Sequence, residues 1–395
     1  MKRPNLYILL LFFLLLLPFG QTTANGNDSI RLSLLTCAPG EEIYSLFGHT
    51  AIRYEDPANG IDAVFNYGLF SFNTPNFIFR FSLGETDYQL GATDYAHFAA
   101  EYAFDGRSVW QQTLNLSKEE KAELIRLLQE NYRPENRVYR YNFFYDNCAT
   151  RPRDKIEESI IGKVIYPSEP QDGSRSFRDI VHQYCKGHPW ARFGIDLCIG
   201  SEADRPITQR QMMFAPFYLM DAFAGAQIAN DSIQRPLVSD KALIVDAVSD
   251  EEEGGWMPTP LQCSLLLFIL TAAATIYSLR KRTGLWGVDL VLFGTAGIVG
   301  CVLAFLALFS EHPAVSSNFL LLVFHPGQFL FLPYIIYCVR KGKKCWYLTL
   351  NLVVLTLFIV LFPVIPQRFD FAVVPLALVL LIRSASNLIV TSKKK

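Results

Sequence analysis

Five hydrophobic stretches near the C-terminus limit the folds open to this chain more than any other feature. They cover roughly residues 260–279, 288–310, 317–339, 345–364 and 371–389. Each is close to the ~20 residues that an α-helix needs to cross a bilayer. Backbone polar groups inside a bilayer must bond within their own segment, so such stretches fold as helices. The sequence therefore predicts an all-α membrane domain of five helices over residues 260–395.

Basic residues in the connecting loops predict the orientation of this domain. The basic clusters at 280–282, 340–344 and 393–395 all fall on one side of the membrane. The loops on the other side have no lysine or arginine at 311–318 and only Arg368 in the last loop. Because positively charged loops stay in the cytoplasm, the region before the first stretch is predicted to lie outside the cytoplasm.

The N-terminus independently predicts export. Lys2 and Arg3 precede an apolar core over residues 6–17, and small residues follow up to Ala24. These are the parts of a secretory signal peptide, predicted here at residues 1–24. The alternative is an uncleaved membrane anchor. Export of the middle of the chain agrees with the charge pattern of the loops.

The exported middle is predicted to have three parts. Residues 25–165 contain the candidate reactive groups, residues 166–250 form an extension packed on them, and residues 251–259 are an acidic linker. The formal net charge of −1 gives no sign of the basic face that nucleic-acid binding requires. The fold class is therefore predicted to be α+β in the exported part, followed by the all-α membrane domain.

Alternating segments near the start of the exported part predict a β-hairpin that carries a histidine. Strands are expected at 49–54 and 62–67, joined by a short polar loop. His49 begins the first strand, and the hairpin brings Asn66 close to it. An asparagine in that place is suited to hold the imidazole tautomer, as the third member of a catalytic triad does. The alternative is a turn residue before Gly68.

Other local patterns predict the framework around this hairpin. Arg31–Cys37 is expected to be a strand, and Ser117 with Glu120 forms a capping box that starts a helix ending near Tyr132. Residues 70–104 are rich in Phe and Tyr, which indicates core packing or, beside a bilayer, an acyl-chain groove or interfacial surface. A further strand is predicted at 138–144.

Cys148 follows this last predicted strand and is the candidate nucleophile. The segment after it is predicted to become helical, and the unpaired N–H groups at a helix start favour a thiolate. Pro152 fits best in the first helical turn, so the helix is expected to begin near Thr150 or Arg151, with Cys148 just ahead of it. The chain has no CxxC, HExxH, GxSxG or P-loop motif. Cys148 and His49 are thus the candidate catalytic pair. The sequence predicts neither a metal nor another cofactor.

Of the other exported cysteines, Cys185 and Cys198 are expected either to form a disulfide in an oxidising compartment or to remain free. Cys148 must stay unpaired in order to act.

Dispersed motifs along the chain resemble one known family. They are FGHT at 47–50, FNYG at 65–68, NCATR at 147–151, FR at 177–178, PWARFG at 189–194, Asp196, Gly200, AD at 203–204 and FAP at 214–216. Together with the five-span tail they are similar to the Lnb family, the lipoprotein N-acyltransferases of Bacteroides-type bacteria. The exported domain of that family resembles a circularly permuted papain-like thiol fold, akin to the NlpC/P60 and lecithin:retinol acyltransferase groups. Histidine precedes cysteine there, as it does here.

The resemblance implies a multi-pass enzyme of the bacterial inner membrane with its catalytic domain in the periplasm. A phospholipid would acylate Cys148 to give a thioester, and the α-amino group of a lipoprotein's diacylglyceryl-cysteine would then form the amide. His49 would act as the base, with Asn66 as the candidate third residue. The alternative is a membrane-anchored NlpC/P60-like cysteine peptidase or amidase acting on cell-wall peptides. A third possibility is a non-enzymatic membrane scaffold. The presence of both His49 and Cys148 argues against it.

Several residues near the nucleophile have two interpretations. Asn147, Tyr145 and Asp146 are candidates for orienting the site or its oxyanion, or else they cap a turn. Arg151 and Arg153 are candidates for holding a lipid phosphate through bidentate hydrogen bonds; the alternative is an ion pair with an acid of the following helix.

Two more sets of residues lie farther away in the sequence. Asp196 and Asp204, which belong to the matched motifs, are expected to be structural. His325 interrupts the third hydrophobic stretch, either at a Pro-Gly kink with a polar neighbour or as a notch through which lipid enters.

Overall fold

The computed structural model describes residues 29–70, 75–167, 175–230, 234–247 and 256–392. The predicted signal peptide at 1–24 and the acidic residues 251–255 lie outside the described residues. Within them, the chain forms a mixed α/β exported domain, which contains a large sheet, and a C-terminal domain of apolar helices.

The exported domain is built around an antiparallel sheet. Its strands and those of a smaller sheet are β1 Arg31–Cys37, β2 His49–Asp56, β3 Ile61–Leu69, β4 Asp87–Asp94, β5 Val109–Leu114, β6 Val138–Arg140, β7 Lys163–Ile165, β8 Gln227–Ala229, β9 Gln234–Pro236 and β10 Val238–Val245. Among the described residues the large sheet has seven strands in the order β10-β5-β1-β2-β3-β4-β6, and the small one joins β7, β8 and β9. The region 166–250 thus contributes β10 to the large sheet.

Helices connect and cover these strands. They are α1 Phe77–Leu83, α2 Tyr95–Phe104, α3 Lys118–Tyr132, α4 Thr150–Ser159, α5 Phe177–Tyr184, α6 Pro189–Cys198, α7 Gln209–Met212 and α8 Pro216–Gly225, with a 3₁₀ turn at Ser201–Asp204. The strand at β1 and the helix α3 are confirmed, including the capping box of Ser117 and Glu120. Helix α4 begins at Thr150, as Pro152 predicted.

Period-two alternation gives the large sheet two buried faces. On one face Leu32 and Leu34 pack with Leu124 of α3 and Phe223 of α8. On the other, Leu35 and its neighbours pack with Phe98 and Tyr102 of α2. Because successive side chains of a strand point to opposite faces, a strand as apolar as β1 is buried on both.

The predicted strand at 138–144 is wrong beyond Arg140. A turn replaces it, in which the N–H of Asn142 donates to the carbonyl of Asp146 and the N–H of Asp146 donates back to that of Asn142. The Asn142 side chain also accepts the N–H of Phe144. Asparagine side chains bond nearby backbone in this way and compete with a strand, so Cys148 follows a turn.

The membrane domain contains helices α9 Pro260–Lys281, α10 Trp286–Phe309, α11 Pro326–Leu330, α12 Leu332–Lys341, α13 Trp346–Leu361 and α14 Val373–Ser392, with 3₁₀ turns at Pro313–Val315, Phe319–Leu322 and Phe362–Val364. Among the described residues four helices are long and apolar enough to cross a membrane: α9, α10, α13 with the turn that extends it, and α14. The third predicted stretch, 317–339, is not one helix. It is divided into Phe319–Leu322, α11 and α12, because Pro326 and Pro333 each lack the N–H that a helix interior needs.

The break in the third stretch is packed against α10. Gly300 lies so close to the His325 backbone that a Cβ there would come within 2.5 Å of it. His325 itself contacts α13: its Nε2 lies 3.3 Å from Asn351 Oδ1, and its Nδ1 lies 3.5 Å from the Tyr347 hydroxyl. Polar partners on the neighbouring helix therefore satisfy this histidine, as the kink interpretation requires.

A buried ion pair joins the second and last long helices. Arg383 donates through Nε and Nη2 to the two carboxylate oxygens of Asp289 at 2.8 and 3.1 Å, and both side chains are fully buried. Asn387 adds a bond to the same carboxylate. Each charge is thus neutralised inside the bundle.

The outer loops of the membrane domain contact the exported domain. Gly200 donates its N–H to Ala314, and Asn318 donates to the carbonyl of Leu197. Arg368 bonds Asp204, Asp179 and Ser176 of the exported domain. Both loops that the charge pattern placed outside the cytoplasm therefore meet the exported domain.

Arg178 links the exported side of this junction. It is completely buried and donates to Asp196 at 2.6 Å, to Asp204 at 2.9 Å and to the carbonyls of Ile199 and Gly200. Asp196 also bonds His182. These contacts agree with a structural role for both aspartates.

Replacing Arg178 by Ala is expected to lower the free energy of unfolding by roughly 3–5 kcal/mol, since it leaves buried carboxylates without a partner. Arg126→Ala is the control, because the exposed Arg126–Glu123 pair contributes at most about 1 kcal/mol. Thermal unfolding of the full chain in detergent measures both. Equal melting temperatures for the two variants would contradict the structural role.

Candidate active site

The fold places His49 at the first position of β2, directly after a glycine. Gly48 has φ +78°, and a Cβ there would lie 2.5 Å from the carbonyl oxygen of Cys37. Only glycine fits both the left-handed conformation and the close approach. The register then sets His49 opposite Cys37 on β1, which fixes the start of the hairpin.

Asn66 lies beside His49 on the same face of the sheet. Its cross-strand partner is Ala51, two residues after His49, and alternate residues of a strand share a face. The His49 Nε2 and Asn66 Oδ1 atoms are 3.3 Å apart. With Nε2 protonated and donating to Asn66, Nδ1 is the nitrogen that can accept a proton. The hairpin prediction for these two residues is confirmed.

Asn147 fixes the turn that carries Cys148. Its buried Oδ1 accepts the N–H groups of Ala149 and Thr150, and its Nδ2 donates to the carbonyls of Phe143 and Phe214. Its own N–H is bonded to the Thr150 hydroxyl. Every one of these polar atoms of Asn147 is therefore engaged in holding the turn.

Cys148 meets the hairpin at two points. The backbone N–H of Thr50, the residue after His49, is near enough to the Cys148 thiol to lower its pKa. Gly68, with φ +88°, lies so near that a Cβ on it would be 3.4 Å from the Cys148 Cβ. A side chain at position 68 would be strained at this φ and would lie in van der Waals contact with Cys148, so the two strands and the turn together build the site.

Burial sets the protonation of the pair. It raises the pKa of Cys148 to about 11, although the N–H groups of Thr50 and of Cys148 itself act in the opposite direction. It lowers the pKa of His49 to about 4, despite the bond to Asn66. At neutral pH the resting site therefore holds a neutral thiol and a neutral imidazole. The N–H groups at the start of a helix were expected to favour a thiolate at Cys148. Desolvation of the thiol is the larger effect and keeps it protonated.

Tyrosines line the site, and the sequence reasoning did not identify them. Tyr88 and Tyr141 stack with ring centroids 4.2 Å apart, and charge on Cys148 would raise the pKa of both and of Tyr139 as well. The Tyr139 hydroxyl is buried and has no hydrogen-bond partner in the described structure. It also faces Gly68, where a Cβ would lie 3.9 Å away. Tyr139 and Tyr141 are two residues apart, and in an extended segment this spacing places both side chains on the same face. That spacing is the sequence signal that could have identified them.

The charged candidates after the turn are paired. Arg151 donates to both oxygens of Asp146 at 2.6 and 2.8 Å and lies 3.6 Å above the ring of Tyr139. Arg153 bonds Asp154 and the carbonyl of Arg210. Arg153 is thus paired with Asp154, an acid of the following helix, as the ion-pair alternative predicted. Arg151 is paired instead with Asp146, which precedes that helix.

The other candidates lie outside this cluster. Tyr145 is exposed and packs edge-on against Phe177, and His325 lies in the membrane domain.

All eight cysteines fall within the described residues and are free thiols, so Cys185 and Cys198 are not joined. Within the described ranges, no group of three His, Cys, Asp or Glu side chains could hold a metal ion.

Comparison with known families gives two matches. Residues 21–172 match the Lnb N-terminal periplasmic domain, and residues 251–395 match the Lnb transmembrane domain. No curated protein and no solved structure matches the chain. The exported domain is thus a periplasmic domain, whereas its likeness to a permuted papain-like fold stays a prediction.

The rate of Cys148 alkylation by iodoacetamide is expected to rise about tenfold per pH unit between pH 7 and pH 10. Below a pKa of about 11 each unit of pH increases the thiolate fraction tenfold, and the thiolate is the nucleophile. Mass spectrometry of the Cys148 peptide measures the rate. A rate that is constant from pH 6 upward would instead indicate a resting thiolate–imidazolium pair.

Proposed function

The chain belongs to the Lnb family, and on that basis we propose that it is a lipoprotein N-acyltransferase with Cys148 as its nucleophile. The observation that carries the proposal is the packing of Cys148 against the hairpin that holds the His49–Asn66 pair, in a domain bonded to the outer loops of the membrane domain. The acyl donor is a phospholipid and the acceptor is a diacylated lipoprotein. Both are anchored in the membrane, so a tethered periplasmic site is where they can meet.

In the first step the thiol of Cys148 attacks the carbonyl carbon of a phospholipid ester while His49 takes the thiol proton. The tetrahedral intermediate collapses as the ester C–O bond breaks. His49 returns the proton to the departing lysophospholipid oxygen. The acyl chain remains on Cys148 as a thioester, and Asn66 holds the imidazole in the required tautomer.

In the second step the α-amino group of the lipoprotein's diacylglyceryl-cysteine attacks the thioester carbonyl. His49 accepts a proton from the amine as the new C–N bond forms. The C–S bond then breaks, and Cys148 leaves as a thiolate that regains the proton. The products are the N-acylated lipoprotein and the free enzyme.

The surroundings of Cys148 suit an acyl chain. Cys148 packs against the apolar cluster that contains Tyr88 and Tyr139, with Tyr141 beside it, and the Phe70 ring centroid lies 5.1 Å from that of Tyr88. Apolar walls bind a fatty chain and exclude the water that would hydrolyse a thioester.

Tyr139 is in a position to serve the tetrahedral intermediate. Its hydroxyl is buried and has no hydrogen-bond partner among the described residues, and burial raises its pKa, so it stays protonated and able to donate. Donors aimed at developing negative charge contribute strongly in a site that excludes water. The backbone N–H of Cys148 is a second donor. Tyr145 and Asp146, by contrast, contribute to the turn.

The second candidate function, an NlpC/P60-like cell-wall peptidase or amidase, would use the same nucleophile and base. It is not favoured, because it gives no role to the membrane helices or to the apolar rings around Cys148.

The proposal predicts a covalent acyl group on Cys148. Full-length protein incubated with phospholipid is expected to gain the mass of one acyl chain, which hydroxylamine removes because it cleaves thioesters. Cys148→Ala should gain none, and Cys198→Ala, which alters another partly exposed thiol, should match the wild type. Full transacylase activity in Cys148→Ala would refute the proposal. Release of cell-wall peptides by the wild type alone would favour the peptidase.

Tyr139→Phe is expected to slow acylation of Cys148 about 100-fold, the effect of losing one donor to an oxyanion. The ring and its packing remain. Tyr67→Phe is the matched control, because that nearby buried hydroxyl bonds Asn131. Single-turnover kinetics measure both variants, and equal rates for the two would exclude a role for the Tyr139 hydroxyl in the chemistry.

A further inference from the structure

Helix α1 exposes large apolar side chains at the edge of the periplasmic domain. Ile78 is 80% exposed, Phe79 57% and Phe81 47%. Its single charged residue, Arg80, is turned back to the protein, where it bonds Asp87 and the carbonyl of Glu85. Contiguous exposed apolar residues on a folded domain mark an interaction surface.

The position of α1 identifies what covers that surface. Phe79 packs on Phe305 of the membrane-spanning helix α10, with ring centroids 5.7 Å apart. The N–H of Glu311, just after α10, donates to the carbonyl of Leu83 at the end of α1. The apolar side of α1 is therefore continuous with the outer end of α10, where Leu308 and Phe309 are 75% and 64% exposed.

We propose that α1 lies in the outer-leaflet interface of the bilayer and contacts its phospholipids directly. An interfacial helix buries its apolar side at the boundary between headgroups and acyl chains, and aromatic residues favour that depth. Since Phe305 belongs to a helix that crosses the same bilayer, a residue packed on its outer end is held at that level. A second protein would have to displace lipid there in order to cover α1.

The contact also defines a path from lipid to thiol, and this part rests on the proposed function. The chain from Leu83 to Tyr88 spans at most about 18 Å when fully extended. Tyr88 stacks on Tyr141 beside Cys148, and the N–H of Tyr141 donates to the carbonyl of Thr86. An acyl chain that leaves the leaflet at α1 meets these rings next and then the nucleophile.

Tryptophan fluorescence tests the bilayer contact. Full-length Ile78→Trp is placed in vesicles of phosphatidylethanolamine and phosphatidylglycerol, with or without bromine on the acyl chains. The control is Phe104→Trp, because Phe104 is 92% exposed at the end of α2. After subtraction of the wild-type signal, brominated lipid is expected to quench the tryptophan at position 78 by at least half and the one at 104 very little. Equal quenching at the two positions would overturn the proposal.

Acylation kinetics test the path. Ile78→Asp is expected to reduce acylation of Cys148 from bilayer phospholipid at least tenfold while leaving acylation by water-soluble p-nitrophenyl butyrate unchanged. Phe104→Asp should change neither. A parallel loss with both donors in Ile78→Asp would overturn the path. If the wild type formed no acyl adduct with either donor, the proposed function would fail, whereas the quenching result would still decide the bilayer contact.

Discussion

The position of the site depends on one junction of charges between the two domains. Arg368, from the last outer loop, bonds Asp204 and Asp179, while the buried Arg178 holds Asp204 from within the periplasmic domain. Ion pairs that share partners in this way have fewer alternative geometries than isolated surface pairs. Together with the backbone bonds of Gly200 and Glu311, the junction therefore holds the periplasmic domain, and Cys148 within it, against the membrane domain.

The chemistry of the site is governed by desolvation. Burial raises the pKa of Cys148 to about 11 and lowers that of His49 to about 4, and both changes oppose proton transfer from the thiol to the imidazole in the resting state. The neutral pair is therefore favoured until a substrate arrives. A periplasmic cysteine that rests as a thiol is protected from oxidation, because oxidants attack the thiolate. Reactivity appears when an ester carbonyl can take up the developing charge.

Local patterns predicted the parts of the fold that depend on local interactions. The alternation at Arg31–Cys37, the capping box at Ser117 and the start of α4 near Pro152 all match the structure. The hairpin that joins His49 to Asn66 was also predictable, because alternation and a polar loop set its register. The contact of this hairpin with Cys148 is a tertiary one, and motif resemblance rather than spacing pointed to it.

The mispredicted regions are those in which other interactions override composition. The aromatic run after Arg140 has strand propensity, but the side chains of Asn142 and Asn147 bind the backbone and form a turn. The hydropathy of 317–339 resembles a membrane span, yet its two prolines divide it. The tyrosines around Cys148 come from β4, from β6 and from the residue after β6. The two-residue spacing of Tyr139 and Tyr141 is visible in the sequence, but their grouping with Tyr88 is a tertiary contact that the sequence does not reveal.

The Arg383–Asp289 pair has a consequence for how the protein is made. Arg383 lies near the middle of the last helix, where an arginine opposes insertion into a bilayer by about 2.5–3.5 kcal/mol. Asp289 is synthesised almost a hundred residues earlier and enters the membrane first with α10. The nascent last helix can thus integrate by pairing with a helix already in place.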